Sequence, residues 1–306
     1  MHLIRKKLRK LHAALPCGIR YPLDVATASI QDTLQNWRMP VYRVQAVQPD
    51  TGNEATMLLL GNKPQYASWI YKLFGRTVNP VQIGKLSHYE VLKRNHESLS
   101  ADIALCPLNT LTLPIYSRLG WRIVPLYVNC HIDLNKPIAE IITSKGAKDD
   151  LRIARRLGYQ YVLMKDEQSI HHFFHQMLIP TIRERHEDRA FLSEWKNIQH
   201  TFCNGFLIGA FLEERWVGAI LLAVENASTI RIANIGWENG DTAWLKKGIA
   251  TALYNQSFIF AQEKNFKYVN LGSNNPFAND GPLNYKLKLG ANITPVAGLS
   301  LIHISE

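Results

Sequence analysis

The segment from Phe206 to Ala291 constrains this 306-residue chain more than any other. Two apolar runs, 206–212 and 216–224, flank Glu213-Glu214-Arg215 and predict a hairpin. A third strand is expected over 229–235, a helix over 242–264 and a fourth strand over 267–271. Gly281-Pro282-Leu283-Asn284-Tyr285-Lys286-Leu287-Lys288-Leu289-Gly290 then predicts a short helix over 282–289, and 293–301 a last strand. The order calls for a mixed sheet with helices packed against it, an α/β architecture.

Bulk properties bound the rest. With 46% hydrophobic and 10% aromatic residues the chain can bury real cores, which excludes a disordered class. Its length suits two domains of about 150 residues each. The change of domain is expected between 135 and 150, after Asn135-Lys136-Pro137, dividing the chain into 1–143 and 144–306. No run reaches the roughly 18 apolar residues of a membrane span, and the N-terminus lacks the apolar core and cleavage site of a secretory signal. Cys17, Cys106, Cys130 and Cys203 lie far apart without a CxxC pair. They predict reduced, mostly buried thiols in a cytoplasmic protein, with neither a disulfide nor a zinc framework.

The net charge of +10 is uneven: Arg5, Lys6, Lys7, Arg9, Lys10 and Arg20 account for six of it. Ile4, Leu8, Leu11 and Leu15 recur among them at helical spacing. Residues 1–15 therefore read either as a solvated helix packing its leucine stripe on the domain, or as a peripheral contact with anionic lipid or nucleic acid.

The first half alternates strand-like and helical runs. Residues 41–47 and 56–60 flank Pro49-Asp50-Thr51-Gly52-Asn53 and predict a hairpin. Helices are expected over 66–74, 88–96 and 110–119, and strands over 102–106 and 121–129. The second half opens with an arginine-rich helix over 149–158, then a strand over 159–164 and a long helix over 170–187 that Pro180 kinks. Each half holds a hairpin, a following helix and a late strand, which reads as one architecture used twice in tandem.

Two stretches can carry chemistry. In Leu245-Lys246-Lys247-Gly248-Ile249-Ala250-Thr251, Gly248 and Ala250 are small enough for a ligand to approach the backbone. The unpaired N–H groups of the helix that follows would face an anion, and Lys246 and Lys247 add charge for a pyrophosphate. The bland alternative is a plain helix with two surface lysines. The second stretch is Asn270-Leu271-Gly272-Ser273-Asn274-Asn275 at a strand end, with Asp280-Gly281 and the Tyr285-Lys286 pair beyond. A strand that opens into Gly and small polar residues is a common crevice in open sheets, here with Asn274 at its edge. Lys286 is placed to polarise an ester or thioester carbonyl and Tyr285 to return a proton to a leaving group. Glu238, just past the third strand, reads as a base or as a helix-start carboxylate favoured by the dipole.

Residues 246–253 resemble the acyl-CoA pyrophosphate loop of the GNAT acetyltransferases, differing at Leu245, where that family prefers Gln or Arg. Asp280-Gly281 through Tyr285-Lys286 and Leu289-Gly290 is similar to the aromatic-Lys-x-x-apolar-Gly ending of the FemAB and BioF2-like branch, which joins two GNAT-like domains in tandem. The likeness spans about 100 to 300 and is strongest from 206 to 291. It implies a mixed-sheet GNAT-like fold in two tandem domains, the first degenerate and the second donor-binding. It also implies acyl-CoA (acetyl-CoA) as co-substrate and no metal. Ordinary GNAT enzymes often place a tyrosine acid four residues before the final Gly; that position here is Lys286, with Tyr285 one residue earlier.

The activity so implied is acyl transfer to an amine or hydroxyl of a small-molecule, glycan or peptide acceptor, on a cell-envelope or polysaccharide precursor. Two alternatives stand beside it: an aminoacyl-tRNA donor, as in some FemAB relatives, and a non-catalytic scaffold binding lipid or nucleic acid. The expected location is the cytoplasm, extending to the inner membrane surface. His171, His172 and His175 lack the Glu of HExxH and have Phe173-Phe174 between them, which argues against a metal site. Residues 183–189 are a mixed charge run expected at a solvated helix end. Neither Gly-x-Ser-x-Gly nor Gly-Lys-Ser/Thr occurs. The ending, residues 301–306, resembles adapter read-through and carries no functional weight.

Overall fold

A computed structural model describes residues 37–61, 66–75, 78–93, 101–109, 111–118, 121–122, 124–186, 194–295 and 301–302, with Ile30 and Thr33. The basic segment 1–15 lies outside these residues, as do Cys17 and part of the 183–189 charge run. The chain forms two compact units, the second running from Val128 to Pro295 and the first taking the residues on either side of it.

The first unit carries a four-stranded sheet of order β3-β1-β2-β4. Strands β1 (Arg38–Val47) and β2 (Glu54–Leu60) form the expected hairpin, with Val47 opposite Glu54. Its turn is closed by Gln48 and Gly52, the latter at φ 71°, the left-handed region that favours glycine. Then follow α1 (Ala67–Phe74), β3 (Val81–Ser87), α2 (His88–Lys93), β4 (Ile103–Leu105), α3 (Leu113–Arg118) and β5 (Val124–Pro125). β2 and β4 run parallel, so this sheet is mixed.

The second unit holds a seven-stranded mixed sheet of order β12-β6-β11-β10-β9-β8-β7. Its elements run β6 (Val128–Asp133), α4 (Ile138–Ile141), α5 (Lys145–Leu157), β7 (Gln160–Met164) and α6 (Glu167–His172). A π-helical stretch, Phe173–Leu178, leads into α7 (Ile179–His186), then α8 (Trp195–Cys203), β8 (Gly205–Leu212), β9 (Arg215–Asn226) and β10 (Thr229–Trp237). A 3₁₀ turn, Glu238–Gly240, precedes α9 (Ala243–Lys246), α10 (Ile249–Glu263), β11 (Tyr268–Asn274), α11 (Gly281–Lys288) and β12 (Asn292–Pro295). Leu301-Ile302 pairs with β5 in the first unit.

Both faces of this sheet are covered, which is why β8 and β9 read as continuous apolar runs. Ile220 and Leu222 face a core shared with Ala147 and Ala154 of α5 and Ile249, Leu253 and Phe258 of α10. Ala219 and Leu221 face the opposite core, with Phe173, Met177 and Ile198. Each such buried aliphatic side chain contributes about 1.5–3 kcal/mol, so these central strands anchor the unit.

Three expectations need correction. The strand expected over 121–129 is two strands, β5 and β6, and β6 belongs to the second sheet, between β11 and β12. The second compact unit accordingly begins at Val128 and takes in β6. Val128, Cys130 and Ile132 alternate inward, but their partners lie some hundred and more residues downstream, beyond the reach of local pattern. The helix over 170–187 bends through a π stretch ahead of Pro180, where the widened turn accommodates a residue without an N–H. The helix over 242–264 is broken at Lys247-Gly248.

Among the described residues, Cys106, Cys130 and Cys203 are free thiols; the first two are buried and Cys203 is exposed. No helix among these residues is long and apolar enough to cross a membrane.

Candidate functional site

The second sheet has a fork. β10 and β11 pair in parallel only where Thr229–Arg231 meets Tyr268–Asn270. Beyond this, β10 follows β9 to Trp237 while β11 follows β6 to Asn274, and the two strands part. Register shifts in both strands sit at the opening, between Ile232 and Asn234 and between Asn270 and Gly272. Such bulges bend a strand and end its pairing. Local sequence builds the second one. The Asn270 side-chain oxygen accepts from the Gly272 N–H at 2.8 Å, and Gly272 takes φ 82°.

A cavity of about 360 Å³ lies beside the fork. Splayed β10 contributes Ile235 and Trp237, α9 Leu245, and the first turns of α10 Ala250, Thr251 and Tyr254. Pro282, Tyr285 and Lys286 of α11 and Asp150 of α5 complete the wall. Leu245 and Ala250 of the expected donor loop thus meet the expected reactive pair around one space.

α10 begins at Gly248 without a side-chain cap, so its first N–H groups are left to the loop side. Gly248 has φ 72°, and a Cβ there would stand 2.5 Å from the Asp150 carbonyl oxygen. Its smallness serves the packing of α5 against the loop. Ala250 lines the cavity directly, as does Leu245, the departure from the GNAT pattern. Lys246 and Lys247 are exposed outside the cavity wall; the Lys247 ammonium lies 4.1 Å from the Trp244 ring centroid, a cation–π contact.

α11 is positioned at both ends. The Asp280 carboxylate caps it by accepting from the Leu283 N–H at 2.8 Å, with Pro282 in the first turn. At its far end Gly290 takes φ 90°, and a Cβ there would stand 2.1 Å from the Ile141 carbonyl oxygen. Ser144, the cap of α5, donates to the Lys288 carbonyl at 2.7 Å. The aromatic-Lys-x-x-apolar-Gly ending is thus a helix whose last residues are clasped by α4 and the start of α5, which fixes Tyr285 and Lys286 on the cavity side.

Lys286 points its Nζ toward the Gly272 carbonyl, at 3.4 Å. Burial holds its pKa below the ordinary lysine value, opposed by neighbouring Cys130 and Asp280. Cys130 is pushed upward by burial, against the pull of Lys286. Asn274 donates to Cys130 Sγ at 3.3 Å and to the Gly272 carbonyl at 3.2 Å. Its amide N–H groups are therefore occupied beneath the fork, and Asn274 is not part of the cavity wall. Glu238 is also elsewhere. Arg215 grips its carboxylate with Nε at 2.9 Å and a second guanidinium nitrogen at 2.7 Å, tying the turn after β10 to the β8–β9 hairpin.

Sequence reasoning missed Asp150, Thr251 and Tyr254. Asp150 had a signal: Ala147, Asp150, Leu151 and Ala154 form one helical stripe, and a carboxylate on a core-facing stripe is unusual. Its partner is the fully buried Thr251, whose hydroxyl lies 2.7 Å from the Asp150 carboxylate and 3.0 Å from the Tyr285 hydroxyl. His171 and His175 lie with ring centroids 4.3 Å apart beside Trp195, away from this cavity. No group of three or more metal-ligating side chains is found among the described residues.

A three-stranded antiparallel meander, a parallel strand that splays from it, and an uncapped helix start beside the fork define a GNAT-like mixed α/β fold. No protein-family model matches the chain, and no curated protein sequence matches it. Among solved structures it is similar to the L-PGS structure from Bacillus licheniformis, at 14% identity over 85% of this chain and 83% of that one, TM-score 0.46. It is similar also to FemX, at 12% identity over 90% and 91%, TM-score 0.47. A GCN5-related N-acetyltransferase from Sphaerobacter thermophilus matches at 12% identity over 87% and 76%, TM-score 0.39. At such scores the likenesses add no weight, and the GNAT-like character rests on this chain's own strand order and fork.

Proposed function

We propose that the chain transfers an acyl group from a CoA thioester to an amine or hydroxyl, on a cell-envelope or polysaccharide precursor. One observation carries this reading: the start of α10, the fork and Lys286 converge on a single cavity of about 360 Å³. The α10 N–H groups and the nearby Lys246 and Lys247 suit the pyrophosphate of the donor, and the fork suits its pantetheine arm. In the transfer, the nucleophile forms a bond to the thioester carbonyl carbon and the C–S bond breaks. The proton lost by the nucleophile balances that gained by the departing thiol. In this reading Lys286, which lines the cavity, supplies the cation that stabilises the developing oxyanion.

The test is turnover with a panel of acyl-CoA donors, together with donor-induced thermal stabilisation of the full chain. Lys286→Ala should lower kcat by about 10²–10³-fold, the usual cost of losing one oxyanion donor. Unchanged turnover in this variant would remove Lys286 from the reaction, and no stabilisation by any donor would favour the scaffold reading.

An aminoacyl-tRNA donor is the second reading. A groove of about 810 Å³ along α5 and α10, lined by Lys148, Arg152 and Arg155 with Tyr159 and Tyr161, favours it. Cations interleaved with aromatic rings suit a nucleic-acid strand. Binding that collapses as salt rises would support this donor over acyl-CoA.

A further inference from the structure

Resting on the transferase reading, we propose that a second cavity at the fork takes the nucleophile-bearing arm of the acceptor. The arm it fits is uncharged and mainly apolar, and the Asn234 amide orients it.

This second cavity measures about 220 Å³ and shares Ile235 and Tyr254 with the larger one, so the two adjoin where β10 and β11 part. Its wall draws on both sides of the sheet. Ile232 and Leu271 belong to the core packed against α10, whereas Leu178 and Ile182 belong to the opposite core, under α7. A group entering from the α7 side therefore meets the donor cavity at the fork. The volume is below the roughly 300–1,000 Å³ of a pocket that encloses a whole ligand, so it suits one arm of a larger acceptor.

The β10 bulge delivers the polar group. Ile230 and Ile232 face the α10 core, and beyond the register shift Ile235 and Trp237 take that role. The inward series changes from even to odd positions, because one extra residue in a strand reverses the face of every residue after it. Asn234 thereby leaves the core series and lines the cavity. Its side-chain amide makes no hydrogen bond to any described residue. Thr181, also in the wall, is already engaged: its hydroxyl donates to the Trp237 carbonyl at 3.3 Å and accepts from the Trp237 N–H at 3.1 Å.

Charge separates the two cavities. Lys286 and Asp150 line the donor side, and no charged side chain lines the second cavity among the described residues. A carboxylate or phosphate beside the nucleophile would lose water there without gaining a partner, which is costly. The acceptor class is accordingly an amine or hydroxyl at the end of a neutral arm, with any charge carried farther along the molecule. Asn234 is the specificity-determining residue.

Methyl NMR of the full chain, labelled at isoleucine, tests the site without turnover, because Ile182 and Ile232 line only the second cavity. Pentan-1-ol and its carboxylated analogue 2-hydroxyhexanoate form a matched pair of probes. Pentan-1-ol should shift both methyls saturably, and 2-hydroxyhexanoate should need a concentration about 100-fold higher. No shift with pentan-1-ol, or equal response to both probes, overturns the proposal. Asn234→Leu should weaken pentan-1-ol binding by about ten-fold, the equivalent of one hydrogen bond, and unchanged binding removes Asn234 from the site. With acetyl-CoA, pentylamine should exceed norleucine in kcat/KM by about 100-fold, and Asn234→Leu should raise the acceptor KM with the donor KM unchanged. Norleucine used as well as pentylamine overturns the acceptor class. Absence of turnover by the native chain with every acyl-CoA overturns the transferase reading instead, and the NMR titration still decides the site.

Discussion

Gly248 and Gly158 offer a matched pair for measuring what holds the donor loop in place. Gly248 has φ 72° and Gly158 has φ 77°, so alanine faces nearly the same backbone cost at each. Their surroundings differ. A Cβ at Gly158 meets nothing within 4 Å, whereas one at Gly248 would stand 2.5 Å from the Asp150 carbonyl oxygen and 3.1 Å from its carbon. Gly158→Ala should therefore cost only the left-handed conformation, about 1–2 kcal/mol. Gly248→Ala adds an overlap with helix backbone that must move, about 1–3 kcal/mol more. Calorimetric unfolding should show a fall in Tm of about 2–4 °C per kcal/mol for a unit of this size. The Gly248→Ala shift should thus be about twice that of Gly158→Ala or larger. Equal Tm shifts in the two variants would refute the close packing of α5 on the loop.

Two further outcomes follow from α11. Burial depresses the Lys286 pKa, so the folded chain sheds this proton at lower pH than the unfolded chain does. Stability from this residue should therefore rise with pH between its folded and unfolded pKa values, and Lys286→Met should be the more stable chain at neutral pH, its advantage fading in alkali. A Lys286→Met chain whose stability difference from native is flat in pH would contradict the buried ammonium. Asp280→Ala should cost about 1 kcal/mol by removing the helix cap, and Asp280→Asn should recover most of it by urea unfolding. Failure of asparagine to rescue would point to charge and not capping.

Much of the second unit is local and hence legible from sequence. Continuous apolar runs with a tight Glu213-Glu214 turn specify the β8–β9 hairpin, and Asp280-Gly281-Pro282 specifies the capped start of α11. Leu289-Gly290 marks its end because only glycine fits at φ 90° against the Ile141 carbonyl. Lys286, Tyr285 and Ala250 could be nominated because each lies in a short motif whose chemistry is carried by neighbours in sequence.

What tertiary structure decided is whatever depends on distant partners. β6 lies in the second sheet because Val128, Cys130 and Ile132 find β11 and β12 across the chain, a pairing no local pattern contains. The fork exists because β10 and β11 follow different neighbours after three paired residues. Glu238 and Asn274, plausible by residue type, are claimed by Arg215 and by Cys130 and Gly272. Asp150 reaches Thr251, 101 positions away, and Thr251 in turn meets the Tyr285 hydroxyl. Sequence determined which groups can ionise or donate; only packing determined which of them meet, because the partners lie far apart along the chain.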